Sequence, residues 1–80
     1  MAIPRLVDLI DRYRAAHGVS ESEVARRIGM SRENLRKWRV NGVSRLPDRE
    51  NLAAVARVIG KPYREVISAA LFDTGYLTDA

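Results

Sequence analysis

Residues 20–42 read SESEVARRIGMSRENLRKWRVNG. The stretch holds two short helical patterns, and each begins with its own hydroxyl cap. Ser20 precedes Glu23 by three positions, a capping-box spacing, and Ser31 is placed to accept a hydrogen bond from the first-turn amides that follow it. The two helices therefore start eleven residues apart. Between them, in Ile28-Gly29-Met30, Gly29 can take the positive φ that ends one helix and turns the chain steeply into the next.

Each helix has one apolar stripe to bury. Val24 and Ile28 form it on the first, Leu35 and Trp38 on the second, at spacings of three and four residues. Ala25 falls where the helices cross, a place that a larger side chain would force open. Arg32, Glu33, Arg36, Lys37 and Arg39 lie off the stripe of the second helix. Folding alone gives that charged face little reason to exist.

The set Ala25, Gly29, Leu35 and Trp38 resembles the helix-turn-helix of the Cro and repressor type, the XRE family, and the resemblance extends from about Leu6 to Leu71. It implies an all-α fold, a compact five-helix bundle of the lambda-repressor-like DNA-binding kind, and binding of operator DNA as a homodimer. Two features depart from the family pattern. Gly42 comes one residue later after Trp38 than in most relatives, and Arg39 replaces the usual acid. Either the second helix is longer here or its cap is built differently.

Charge is concentrated in the same region. Residues 26–45 hold seven basic side chains (Arg26, Arg27, Arg32, Arg36, Lys37, Arg39, Arg45) and one acid, Glu33, whereas the whole 80-residue chain nets only +4. The remainder is thus slightly acidic, and the surplus lies where a DNA-binding surface needs it. Basic runs are commonly just solvated helix faces; this one coincides with the motif.

Eighty residues read as one domain, 1–80, near the size at which oligomerisation helps stability. The absence of cysteine excludes disulfides and thiolate metal sites. No apolar run is long enough to span a bilayer, and the first residues lack the pattern of a secretory signal, so a cytoplasmic protein in a bacterium or a phage-infected host is expected.

Along the chain, Pro4 suits the first position of a helix that shows the stripe Leu6, Leu9, Ile10, Tyr13 and Ala16 and stops at Gly18. Residues 41–47 are a loop dense in turn formers. Asp48 leads a fourth helix with Leu52, Val55, Ala56 and Ile59 facing inward. Lys61-Pro62 opens a fifth, with Tyr63, Val66, Ile67, Ala70 and Leu71 inward. In the tail, 72–80, the apolar Phe72, Tyr76 and Leu77 serve either to close the monomer's own core or to meet a second subunit.

With the helix of residues 31–40 in the major groove, its N-terminal half approaches base edges. Arg32 is nearest and suits guanine O6 and N7; Glu33 either accepts from a cytosine amino group or orients a neighbouring cation; Arg36 and Lys37 reach bases or phosphates. The resemblance places Ser31 at a phosphate from the helix N-terminus, and Arg39, Asn41 and Arg45 are phosphate candidates from the end of the helix and the loop. The acid Glu21 stands where relatives often have a polar phosphate contact, and it is poorly suited to that role.

The function indicated is a sequence-specific regulator of transcription, Cro-like or repressor-like, on an inverted-repeat operator of double-stranded DNA. No cofactor, metal or small-molecule ligand is expected. A protein-interaction role, as the antitoxin of a toxin pair or an adaptor, is the alternative. An enzyme is disfavoured: the lone His17 has no nucleophile and acid around it, and Ser20 is explained as a cap.

Overall fold

The computed structural model describes residues 3–78. Five helices follow one another: α1 (Arg5–His17), α2 (Glu21–Ile28), α3 (Arg32–Asn41), α4 (Arg49–Ile59) and α5 (Tyr63–Asp73). Among the described residues there is no strand. Both hydroxyl caps form as the spacing predicts. Ser20 Oγ accepts from the Glu23 amide and Ser31 Oγ from the Asn34 amide, each at 3.0 Å. The return half of the capping box is missing, because the Glu23 carboxylate turns instead to Arg26 and Arg27.

Gly29 takes φ +93° at the end of α2, and the amides of Gly29 and Met30 both donate to the Ala25 carbonyl. The last carbonyls of α2 are thereby satisfied while the chain changes direction. After α3 the cap differs. Helix α3 continues to Asn41, and Gly42 stands at φ +83°, ψ 172° with its amide bonded to the Trp38 carbonyl. Helix α3 thus runs up to the glycine itself, and its cap differs from that of α2: Gly42 keeps a positive φ, but its ψ of 172° departs from the left-handed helical turn of Gly29.

The core is built from one facet of every helix. Leu6, Ile10, Val24, Ala25, Ile28, Leu35, Leu52, Val55, Ile59, Val66 and Ala70 are buried together, with Val43 pinning the α3–α4 loop to them. Ala25, at 1% exposure, sits where α2 meets its neighbours. Trp38 packs against this core while remaining partly open.

Three expectations need correction. Ala16 is exposed, and Val7 is fully buried instead, because α1 leans along α5 and so buries a broader face near its beginning than near its end. Tyr63, the first residue of α5, is 37% exposed and is not among the side chains packed against the core. Pro4 is the residue before α1 and not its first helical residue.

A proline side chain offers no cap, and the need is met from far along the chain. The Asp73 carboxylate, at the end of α5, accepts from the amides of Arg5 at 2.7 Å and Leu6 at 2.8 Å. A negative charge at a helix N-terminus is favoured by the macrodipole as well as by the hydrogen bonds. The Arg5 guanidinium meanwhile lies 3.4 Å from the centre of the Phe72 ring, a cation–π contact.

Candidate nucleic-acid interface

Helix α3 presents a continuous exposed face of Arg32, Glu33, Arg36 and Lys37. Leu35, fully buried on the opposite side, fixes which way the helix faces. Arg36 and Glu33 lie 3.8 Å apart and are both mostly solvated, so this pair holds Arg36 only loosely. Among the described residues Arg32, Lys37 and Arg45 form no ion pair. Their charge is available to an anion.

Ser31 stands at the exposed start of α3. Its oxygen accepts the cap bond, which leaves the hydroxyl proton for an outside acceptor such as a phosphate. Asn41 and Arg45 are exposed at the end of α3 and in the following loop. Buried Val43 lies between them and holds that loop to the body of the protein.

The remaining basic groups of the region are engaged within the fold. Arg26 and Arg27 share the Glu23 carboxylate, which they hold at about 2, well under its ordinary value, chiefly through the Arg26 hydrogen bonds. Arg27 also donates to the Tyr13 hydroxyl at 3.1 Å.

Arg39 is bound more completely. Its guanidinium donates to both oxygens of Asp11, at 2.6 and 2.8 Å, and to Oε1 of Glu21 through both Nε and Nη2. These side chains are only 27%, 26% and 19% exposed. The forked Asp11 contact raises the affinity of Arg39 for its proton and lowers that of Asp11. Sequence reading offered Arg39 to phosphates; it did not foresee these partners, 28 and 18 residues away.

Val40 went unremarked in the sequence. It is 66% exposed in the last turn of α3, and helical geometry aligns it with Glu33 and Arg36. An apolar residue off the core stripe on a charged face was the available signal.

On another side, α1 and α5 border an open cavity of about 510 Å³ lined by Leu9, Arg12, Glu65, Phe72 and Leu77 among others. The tail folds back across the end of α5, with the amides of Tyr76 and Leu77 both donating to the Leu71 carbonyl. Phe72 is half-buried beneath the Arg5 guanidinium, while Tyr76 is 73% and Leu77 45% exposed.

Two helices capped by serine, joined through a left-handed glycine and carrying a basic outer face, define a helix-turn-helix DNA-binding module. The family model for helix-turn-helix proteins matches residues 10–66. The chain belongs to this family of DNA-binding transcription regulators, the Cro and repressor type, as its motif implies. No curated protein and no solved structure matches it. Among the described residues, no helix is long and apolar enough to cross a membrane.

Proposed function

We propose that the 80 residues act as one sequence-specific regulator that binds an inverted-repeat operator as a homodimer, with α3 in the major groove of each half-site. The observation that carries this reading is the row of uncommitted cations on α3, Arg32 and Lys37, with the capped N-terminus of that helix beside them. Arg32 and Lys37 read base edges, Glu33 orients Arg36, and Arg36 contacts bases or phosphates. Ser31, Asn41 and Arg45 hold the backbone. Arg39 is left out of the contact set because its fork is occupied by Asp11 and Glu21.

One such module makes few contacts, so useful affinity calls for two copies on half-sites about 34 Å apart. Exposed Tyr76 and Leu77 are the surface we assign to the partner copy, with Phe72 supporting them from beneath. The test is selection of bound sequences from a random duplex library at about physiological salt, then titration of the winner against scrambled DNA. An enriched inverted repeat, preferred by roughly a thousandfold or more, is the expected result. Without enrichment the reading fails, and capture of a small partner protein by the tail would point to the antitoxin or adaptor class instead.

A further inference from the structure

We infer that Arg39 is a positioning residue for DNA binding: it locks α3 to α1 and α2 and masks two carboxylates that would otherwise repel the phosphates, without itself touching DNA. This deepens the DNA-binding reading above and rests on it.

The geometry requires some such role. Glu21 is the first residue of α2, and in helix-turn-helix docking the first motif helix crosses the DNA backbone. The N-terminus of that helix has a positive dipole end and unpaired amides suited to a phosphate. A bare glutamate there would oppose the approach of any anion. Asp11, reaching the same guanidinium from α1, adds a second negative charge.

Arg39 satisfies both acids at once. Its planar fork spans Asp11 on one edge and Glu21 on the other, an arrangement that a lysine cannot reproduce. Arg14 completes the group, 3.3 Å from Asp11 and 3.8 Å from Glu21. Two acids and two bases then cancel beside the basic face, so the surplus charge of α3 and its loop acts undiminished. The same bonds join three helices near the end of α3, which sets the direction in which Arg32, Arg36 and Lys37 point.

The experiment is a comparison on the duplex recovered by selection, measuring affinity across a salt series for the unsubstituted protein, Arg39→Met, and the triple variant Arg39→Met/Asp11→Asn/Glu21→Gln. Expected is a loss of roughly three- to tenfold for Arg39→Met, as two partly screened charges are uncovered near phosphates. The share of affinity that masking supplies returns in the triple variant together with the original salt slope, while the share due to the lost lock between the helices stays missing. A loss that persists in the triple variant, with the slope lower by about one unit, marks a direct phosphate contact and overturns the proposal. So does unchanged affinity in the single variant.

Should Arg39→Met fail to fold, the unsubstituted protein still decides. The NMR signals of the Arg39 Nε–H and of the Asp11 and Glu21 carboxyl carbons stay in place on addition of the duplex if Arg39 keeps its partners. They move together if it transfers to phosphate, which overturns the assignment. A protein that binds no duplex at all removes the DNA reading and this one with it, whereas intact binding with a non-rescued variant removes this one alone.

Discussion

Arg32 and Arg45 are both exposed and, among the described residues, free of ion pairs, yet the proposed reading gives them different work. Arg32 begins α3, so Arg32→Ala should remove about 1–3 kcal/mol of preference for the selected duplex while weaker binding to scrambled DNA survives. Equal losses on the two duplexes would show that it reads no base. Arg45 sits in the loop beyond the helix; Arg45→Ala should weaken all sequences alike and lower the salt slope by about one unit. Titrations at several salt concentrations separate the two outcomes. The exposed face of α3 was legible because Arg32, Glu33, Arg36 and Lys37 follow from helical period alone. Arg39 was not: its partners lie on other helices, and nothing in its own segment sets its rotamer towards Asp11 and Glu21.

Helices α2 and α3 were readable for the same local reason, since caps and the turn glycine lie within a few residues of what they satisfy. A Cβ at Gly29 would meet nothing within 4 Å, so any cost of Gly29→Ala comes from the backbone alone. That cost should be about 1–2 kcal/mol, visible as a fall of several degrees in the thermal midpoint; an unchanged midpoint would mean the turn tolerates a side chain. Acid should loosen the same region. Asp11 and Glu23 have folded-state pKa values below their ordinary values, so the stability they confer is complete above about pH 5 and is lost as pH falls, for Glu23 from 4.5 towards about 2. Circular dichroism melts should therefore be flat from neutral pH to about 5 and decline below it. Asp11→Asn should lower the neutral midpoint and shallow that decline; an identical decline would place the acid sensitivity elsewhere.

Packing between distant helices decided what local pattern could not. The stripe of α1 was extended to Ala16 and missed Val7 because the position of α5 determines which turns are covered, and α5 arrives more than fifty residues later in the chain. Tyr63 fits a stripe by spacing but lies past the edge of the core it should face. The tail shows the same limit: Phe72 turns inward while Tyr76 and Leu77 stay outside. On the proposed dimer reading, Tyr76→Ser with Leu77→Ser should shift the protein from dimer to monomer in sedimentation equilibrium with the helical signal intact, and should weaken operator binding through lost coupling between half-sites. A dimer that survives both changes would place the interface on another surface.

The Asp73 carboxylate closes a loop of 68 residues onto the amide of Arg5. Closing so long a loop costs entropy that only a largely assembled interior can offset, so this clasp should be among the last contacts made and among the first released. Opening should then begin at the seam between α1 and α5, and hydrogen exchange at the Leu6 amide should gauge how firmly the far end of the chain is seated.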